Sequence, residues 1–316
     1  ARPERAPAGT QSNDRRQVRP KVSVVFVNYN STALLERAAS SLRQAEPELR
    51  LELIVVDNAS KDLPELRRAC GRLGVPIVRL SGNAGYGRAA NRGVRRATGE
   101  FVVVGNTDLR FRGRELSRLV AALRENAAAG VVSPQFVYPG GCPQPSARRY
   151  PRLRYALGGR RSVLARFVPR FGHRGEFLYE GIHRADMPVG VEAIVAAFAV
   201  FRREAFDAVG GFDERYRMFA EDMDICRRLR AAGWDVLLDP RVRVEHYYGG
   251  VRRSFARFSD YQRVRALRQF MSDGRGPFGR AALSVLAFGY FAAVEAGRLA
   301  GLTEFEQSWQ AHRGGA

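Results

Sequence analysis

The sequence of 316 residues contains almost no lysine: of its 52 Lys and Arg residues, only Lys21 and Lys61 are lysine. Because 32 acidic residues oppose this excess of arginine, the formal net charge is +20. Such a charge favours anionic partners, whether nucleic acid, nucleotide-linked substrates or an acidic membrane surface, and does not choose among them. The hydrophobic fraction of 45% allows a sizeable core and excludes a wholly disordered chain.

Cysteine is also scarce, and long apolar runs are missing. Cys70, Cys142 and Cys226 are widely spaced and odd in number, which argues against a disulfide framework or a CxxC zinc site and favours a reducing cytoplasm. Residues 1–20 have no apolar signal-peptide core and are expected to form a disordered leader. The longest uncharged apolar run, residues 281–294, is shorter than the roughly 20 residues of a spanning helix, so no transmembrane helix is predicted.

The first 140 residues, by contrast, alternate regularly between apolar β-rich runs and helical patterns. The pattern predicts strands at 22–29, 51–58, 75–80 and 101–106 and helices at 31–45, 62–73 and 84–97. This βαβ series predicts an α/β fold with a mostly parallel sheet flanked by helices. Ligands of such sheets bind beyond the carboxyl ends of the strands, so the loops after the strands should carry the chemistry.

Those loops are polar: NYNS (28–31), DNAS (57–60), SGNAGYGRAANRG (81–93) and GNTD (105–108). Helix capping alone remains open for Ser31 and Ser60. Asp108 ends an apolar strand, where it is either the cap of a helix at 110–116 or a ligand of Mg²⁺ or Mn²⁺ beside a phosphate. Gly85 and the charge of Arg88 suit a phosphate site at a helix start, but also fit a helix start without a ligand.

The second half of the sequence contains a cluster of acids. After an irregular Gly-, Pro- and Arg-rich stretch at 138–188, FAEDMDIC opens a helix predicted at 222–232, followed by a strand at 234–238. Its acids either stabilise the helix dipole or include a general base, because like charges and partial burial raise carboxylate pKa values. His246 is a metal ligand, a substrate contact or a packed histidine.

In their order along the chain, these stretches resemble the family 2 inverting glycosyltransferases, and within them the rhamnosyltransferase-like bacterial group. The matching stretches include VSVVFVNYNS, LIVVDNASKD, NAGYGRAANRG, GEFVVVGNTDL, QPSARRYP and FRREAFDAVGGFDERYRMFAEDMDICRRLRAAGW. The resemblance implies a nucleotide-sugar-binding domain of the GT-A type (Rossmann-like) over residues 21–250. Residues 251–316 then form a basic, amphipathic helical extension.

The resemblance also implies roles by position. Asp222 matches the catalytic base, while Asp108 matches the metal ligand of an Asp-x-Asp motif, with His246 as a second ligand. The nucleotide and its diphosphate would be held by Asn28, Tyr29, Asn30, Asp57, Asn83, Gly85, Arg88, Asn106 and Thr107. The acceptor and sugar region contains Arg148, Arg149, Glu192 and Glu221. Asn106 replaces the motif's first acid, which implies weaker metal binding by the protein alone.

The implied reaction is a single displacement with inversion. Asp222 accepts the proton of an acceptor hydroxyl, and Mg²⁺ or Mn²⁺ on Asp108 stabilises the leaving diphosphate. The donor is dTDP- or UDP-linked and carries a hexose or deoxyhexose, with rhamnose, galactose and N-acetylglucosamine as candidates. The acceptor is a lipid-linked or polysaccharide glycan of the cell envelope, made at the cytoplasmic face of the plasma membrane. Where relatives carry a VDWVSGA-like stretch this chain has VEAIVAAFA, which leaves the sugar open.

Other classes of protein fit less well. A nicotinamide-dependent oxidoreductase is disfavoured because no G-x-G-x-x-G follows the first strand. A nucleic-acid binder explains the charge but not the acids in polar loops, so no nucleic acid is expected as a partner; a non-catalytic nucleotide-sugar binder remains open. The tail carries ten arginines between positions 241 and 280. It is either a helix packed on the core or an interfacial helix in peripheral contact with an anionic membrane.

Overall fold

The computed structural model describes residues 21–152, 178–179, 181–247, 256–286 and 289. The predicted leader at 1–20 and much of the extension at 251–316 lie outside the described residues. The helices and strands are, in chain order, β1 (Lys21–Asn28), α1 (Thr32–Ala45), β2 (Arg50–Asp57), α2 (Leu63–Leu73), β3 (Ile77–Arg79), α3 (Tyr86–Val94), β4 (Phe101–Gly105), β5 (Leu109–Arg110), α4 (Glu115–Glu125), β6 (Ala129–Val137), β7 (Ala147–Arg148), β8 (Val189–Gly190), β9 (Ala193–Ile194), β10 (Phe198–Arg202), α5 (Arg203–Ala208), α6 (Glu221–Ala231), β11 (Asp235–His246) and α7 (Ala256–Ser272). Residues 277–286 are also helical.

Within the described residues, nine strands form one sheet in the order β3-β2-β1-β4-β10-β6-β11-β5, with β8 paired to β11. β1 is parallel to β2 and β4, β3 is parallel to β2, and β6 is parallel to β11. β10 runs antiparallel to both of its neighbours, β4 and β6. The sheet is therefore mostly parallel and flanked by helices, which confirms the predicted α/β class.

Alternation along β1 divides its side chains between two cores. Val24 and Phe26 pack on the face that includes α1, whereas Val25 packs on the opposite face with α3. A side chain at Gly93 of α3 would collide with Val25, so the absence of one lets the helix lie close to the sheet. Because both faces are covered, the strand is apolar throughout its middle, as parallel strands usually are.

The strand register aligns the loops that were expected to carry the chemistry. Asn28, at the end of β1, pairs with Asp57, at the end of β2, and Phe26 pairs with Gly105, at the end of β4. The loops 28–31, 57–60 and 105–108 therefore leave the sheet at the same edge. This arrangement follows from the parallel pairing that the sequence predicts.

Two predicted elements differ from those observed. Residues 109–110 form strand β5 instead of the start of a helix, and α4 begins only at Glu115. The strand predicted at 234–238 extends to His246 as β11, because its pairing with β6 shifts register between Asp239 and Arg243, around Pro240. Proline has no N–H for a ladder bond, and such irregularities let a long strand bend and continue.

A partly buried ion pair joins α6 to the end of α7. Asp224 of α6 is buried, and its two carboxylate oxygens accept hydrogen bonds from Arg227 at 2.9 Å and Arg228 at 2.7 Å. Arg227 also donates to Asp273, just beyond α7, at 2.7 Å, and its guanidinium lies 4.1 Å from the ring centroid of Phe270. A buried carboxylate requires such partners, and both oxygens of Asp224 have one, so the role of Asp224 is structural.

Candidate active site

The loops after β1, β2 and β4 are tied together by side-chain hydrogen bonds. Ser31 donates to Asn28 at 2.9 Å, and its hydroxyl lies 2.9 Å from that of Thr107. Asn28 in turn donates to Ser60 at 3.1 Å. Ser31 stands at the N-cap of α1 but makes no side-chain capping bond. Asn28 and Thr107 are thus brought together as predicted, in buried positions that shape the loops.

Tyr29 and Asn30 lie at the open side of this cluster. Asn30 is exposed and Tyr29 is partly buried. Asn30 has a left-handed backbone with φ of 51°, which asparagine tolerates better than most residues, and its N–H donates to Ser60 at 2.9 Å. Its side-chain oxygen accepts the N–H of Lys61 at 2.7 Å. Both residues are accessible to a nucleotide at this edge of the sheet.

Asp57 has one buried carboxylate oxygen without a hydrogen-bond partner among the described residues. The residue is fully buried, and Oδ1 accepts the N–H of Ser60 at 3.0 Å. Oδ2 accepts no hydrogen bond from any described residue, although Arg79 Nε approaches within 3.9 Å. An unsatisfied buried acceptor costs about 1–3 kcal/mol. A nucleobase N–H would satisfy it, so the residue fits the role implied by the resemblance.

Asn58, which the sequence analysis did not single out, holds the loop before α3. Its side-chain Nδ2 donates to Asn83 Oδ1 at 3.2 Å, and its side-chain Oδ1 accepts the N–H of Ala84 at 2.8 Å. Asn83 Oδ1 also accepts the N–H of Gly85 at 3.1 Å. The loop is therefore anchored to the end of β2. The sequence feature that could have identified Asn58 is its position in DNAS, directly after a buried strand.

Gly85 brings this loop against the segment that precedes α6. Its φ is 91°, and a Cβ there would collide with the carbonyl oxygen of Arg217, which accepts the N–H of Tyr86 at 3.2 Å. Arg88 is exposed, and its Nε lies 3.1 Å from a carboxylate oxygen of Glu214. The structure thus places Arg88 in an ion pair at the surface.

We expect Gly85→Ala to lower both the melting temperature and the affinity for a nucleotide. Alanine with positive φ costs about 1–3 kcal/mol before the collision with Arg217 is added. Gly82→Ala is the matched control, because it lies in the same loop, has no left-handed φ and has open space around it. Thermal unfolding with and without nucleoside diphosphates measures both effects. Equal losses in the two variants would contradict the assignment of a tight turn at Gly85.

Asp108 and His246 face each other at the end of β5 and β11. His246 Nε2 lies 3.4 Å from Asp108 Oδ1, and the N–H of Tyr247 donates to the carbonyl oxygen of Asp108 at 2.8 Å. The pairing of Leu109 with His246 in the sheet produces this contact. His246 is buried, whereas Asp108 is partly exposed.

Gln144, a second residue missed in the sequence, orients the imidazole. Its Oε1 lies 3.0 Å from His246 Nδ1, and its Nε2 donates to the carbonyl oxygen of His246 at 2.7 Å. This contact fixes the ring so that Nε2 faces Asp108, an orientation that suits a cation held between the two side chains. Among the described residues no group of three or more His, Cys, Asp or Glu side chains surrounds a common point. The pair therefore fits an ion whose other ligands are phosphates and water.

The acids of α6 differ in their surroundings. Asp222 accepts hydrogen bonds from Arg148 at 2.9 Å and from the N–H of Met223 at 2.8 Å. Its side chain is 12% exposed, compared with 2% for that of Asp224. Asp222 is thus oriented yet reachable by a substrate, whereas Asp224 is not. The left-handed backbone of Phe219 and Ala220 turns the chain sharply just before the helix begins.

Tyr86, the third residue missed in the sequence, lies near both the GNTD loop and the acids of α6. Its hydroxyl donates to the carbonyl oxygen of Ala196 at 3.2 Å. Burial raises the pKa of Tyr86 well above its usual value, and the nearby carboxylates of Glu221, Asp108 and Asp222 raise it further. The N–H of Asn106 donates to the neighbouring carbonyl oxygen of Ala197, which brings the GNTD loop close to Ala196, the partner of the Tyr86 hydroxyl. The first turn of α3, which begins at Tyr86, also packs against Glu221 of α6, so the GNTD loop and the start of α6, more than a hundred residues apart in sequence, both lie near Tyr86.

Among the predicted acceptor residues, Arg148 contacts Asp222, and Arg149 and Glu192 contact each other. Arg148 is on β7, which pairs with β9, and contacts the Asp222 carboxylate directly. Glu192 accepts the N–H of Tyr150 at 2.6 Å and lies 3.9 Å from Arg149. The guanidinium of Arg149 stacks 4.5 Å from the ring centroid of Tyr179. The structure therefore brings Arg148 to Asp222 and pairs Arg149 with Glu192.

This fold, with its polar loops at the carboxyl edge of the sheet, is that of the GT-A glycosyltransferases. Two solved structures are similar in fold: a Pyrobaculum calidifontis mannosyltransferase in complex with GDP-Man and Mn2+ (TM-score 0.57, 20% identity, 90% of this chain and 76% of that one), and GalNAc-T7 with UDP, GalNAc and Mn2+ (0.55, 16%, 73% and 44%). Residues 23–210 match the model of glycosyl transferase family 2, and residues 152–276 match that of glycosyl transferase family group 2. The chain belongs to glycosyl transferase family 2.

Among the curated relatives is the N-acetylglucosaminyl-diphospho-decaprenol L-rhamnosyltransferase of Mycobacterium tuberculosis. It is 32% identical over 235 residues, covering 71% of this chain and 75% of the relative. The rhamnosyltransferase-like character inferred from the motifs is thereby confirmed. No helix in the described part of the chain has the length and apolar character needed to cross a membrane.

Proposed function

We propose that this glycosyltransferase acts with inversion, moving a hexose or deoxyhexose from a dTDP- or UDP-linked donor to a lipid-linked or polysaccharide acceptor of the cell envelope. Rhamnose is the first candidate sugar because the relative from M. tuberculosis is a rhamnosyltransferase with a lipid-linked acceptor. UDP-galactose and UDP-N-acetylglucosamine are the alternative donors. The observation that carries the proposal is that the GNTD loop, with Asp108, and the first turn of α6, with Asp222, both lie near Tyr86.

Different residues of the chain have different roles in a single-displacement reaction. Asp222, held by Arg148 and the N–H of Met223, accepts the proton of the acceptor hydroxyl as that oxygen attacks the anomeric carbon. Asp108 and His246 would hold Mg²⁺ or Mn²⁺, which supplies positive charge to the leaving diphosphate. Asp57 would bind the pyrimidine, and the loop at 83–85 the diphosphate. One attack from the face opposite the leaving group inverts the anomeric centre.

A thermal-shift panel of UDP-, dTDP- and GDP-sugars, with and without Mn²⁺ or Mg²⁺, tests this proposal, because a ligand that binds the native state raises the melting temperature. We expect a shift that requires both a metal ion and one class of pyrimidine donor. Transfer of labelled sugar to a prenyl-diphosphate glycan then tests turnover with that donor. Absence of a shift with every pair would contradict the transferase, and a shift without transfer to any acceptor would indicate a non-catalytic binder.

Peripheral contact with an anionic membrane at the cytoplasmic face is part of the proposal. In the helical residues 277–286, Phe278 is 91% exposed, Val285 72% and Leu286 52%. The exposed Arg275 and Arg280 lie close to them in sequence. Exposed apolar side chains next to arginines suit the interface of a bilayer that carries negative charge.

We expect the full chain to sediment with vesicles containing phosphatidylglycerol and much less with phosphatidylcholine alone. The double substitution Phe278→Ser and Leu286→Ser should weaken this binding, because it removes apolar area from the bilayer contact. Met187→Ser is the matched control, since Met187 is 62% exposed but far from these residues in sequence. Equal binding to neutral and anionic vesicles, or equal losses in both variants, would contradict the assignment.

A further inference from the structure

Glu221 lies between the start of α3 and the proposed catalytic base. It is the first residue of α6 and directly precedes Asp222. Its Cβ is 3.7 Å from the position that a Cβ on Gly87 would occupy, so it sits against the first turn of α3. That turn follows the loop at 83–85, where the diphosphate of the donor is proposed to bind. Arg148, in contrast, reaches Asp222 from β7, beside the proposed acceptor residues.

The Glu221 side chain has an unused hydrogen-bonding atom. Oε2 is sealed from solvent and accepts no hydrogen bond from any described residue. Buried polar atoms without a partner are rare in native proteins, and those that occur call for an explanation. Burial, and then the neighbouring Asp222 carboxylate, raises the pKa of Glu221, which favours the protonated form. The group can therefore donate a hydrogen bond as well as accept one.

The surroundings narrow the choice of ligand for Oε2. The described residues gather no third acid or histidine with Asp108 and His246, so the position of Glu221 is not that of a metal ligand. Ala196 and Ala197 of the VEAIVAAFA stretch have only methyl side chains, and their carbonyl oxygens already accept hydrogen bonds from the Tyr86 hydroxyl and the N–H of Asn106. A sugar hydroxyl both donates and accepts, so it suits a carboxyl group in either protonation state.

We propose that Glu221, which is only partly buried as a residue, is a specificity-determining residue whose carboxyl group binds one hydroxyl of the donor sugar, while Asp222 receives the proton of the acceptor. This inference rests on the proposed function, because it needs a sugar attached to the nucleotide at the start of α3. It assigns the two adjacent acids to different substrates: Glu221 to the donor and Asp222 to the acceptor. Recognition through a buried polar group is a strong source of discrimination, because a substrate that lacks the hydroxyl leaves the protein group unpaired.

The experiment compares kcat/KM for Glu221→Ala and Glu221→Gln with the accepted nucleotide sugar and with analogues deoxygenated at one hydroxyl at a time. We expect the alanine variant to lose about 10- to 100-fold with the full donor, as for removal of a buried hydrogen-bond partner. The glutamine variant keeps the shape and both hydrogen-bonding functions, so it should retain most activity. With the analogue that lacks the hydroxyl bound by Glu221, the unaltered enzyme should show the same loss in kcat/KM. Glu221→Ala should lose nothing further with that analogue.

Three results would overturn the inference while leaving the transferase intact. They are an alanine variant as active as the unaltered chain, an equal loss with every donor, and a glutamine variant as impaired as alanine. Glu36→Gln is the control, because Glu36 is on α1 and pairs with Arg72 at the surface. If the unaltered chain transfers none of the sugars, the proposed function fails and the inference fails with it. The activity of the unaltered chain thus separates the two failures.

Discussion

Asp222→Asn is expected to lower kcat roughly 10²- to 10⁴-fold, the usual contribution of a general base, with little change in donor affinity. Asparagine has nearly the same shape, and its oxygen can still accept the hydrogen bond from Arg148. It cannot take the proton of the acceptor hydroxyl, so the loss falls on the chemical step. Initial rates at saturating donor and acceptor, together with donor titration by thermal shift, separate the two quantities.

Asp224→Asn is the matched control for this experiment, since it makes the same chemical change two residues further along the same helix. Both oxygens of Asp224 are engaged by Arg227 and Arg228 inside the protein. We therefore expect a lower melting temperature but similar turnover per folded molecule. Unchanged turnover in Asp222→Asn would move the base elsewhere in the protein or make the chain a binder without catalysis.

Asp108→Ala, or removal of divalent cations with EDTA, is expected to reduce kcat/KM by roughly 10²- to 10⁴-fold, because a metal ion contributes several kcal/mol of charge stabilisation. Asn106, in place of an acid, cannot compensate, so Asp108 supplies the one carboxylate of the GNTD loop. Titration of Mn²⁺ into the chelated enzyme, with transfer as the readout, measures the dependence.

His246→Ala should have a smaller effect than Asp108→Ala, because it removes a neutral ligand and leaves the carboxylate in place. Glu125 is an exposed acid at the end of α4, and Glu125→Ala should leave the Mn²⁺ titration curve unchanged. Full activity of the unaltered enzyme in excess EDTA, or of Asp108→Ala, would show that the Asp108–His246 pair does not hold a required metal ion.

Some of this site could be predicted because it depends on local patterns and strand order alone. Parallel pairing aligns Asn28, Asp57 and Gly105 at the ends of three strands, so polar residues after those strands had to meet. The acids of FAEDMDIC could be assigned to the first turn of a helix, because apolar residues follow at helical spacing and Gly233 marks the end of the helix. These inferences need no knowledge of distant contacts.

Other parts of the site depend on contacts that no local pattern encodes. His246 reaches Asp108 only because β11 continues through the register shift near Pro240, whereas periodicity indicated a strand that ended at 238. Tyr86 reads as an ordinary apolar position of a helix, and its role depends on Ala196, 110 residues away. Gln144 lies in an irregular stretch, and its importance emerges only from its two contacts with His246.

The contact of Arg227 with Asp273 and Phe270 has a consequence for the geometry of the acceptor. The proposed catalytic base Asp222 lies on α6, and Phe278 follows α7 closely in sequence, so the contacts between α6 and α7 connect the two. If the apolar residues rest in a bilayer, the height of Asp222 above the lipid surface is fixed by the protein and not by a flexible tether. Under that condition, the proposed enzyme would favour acceptors in which the distance between lipid and sugar matches this height.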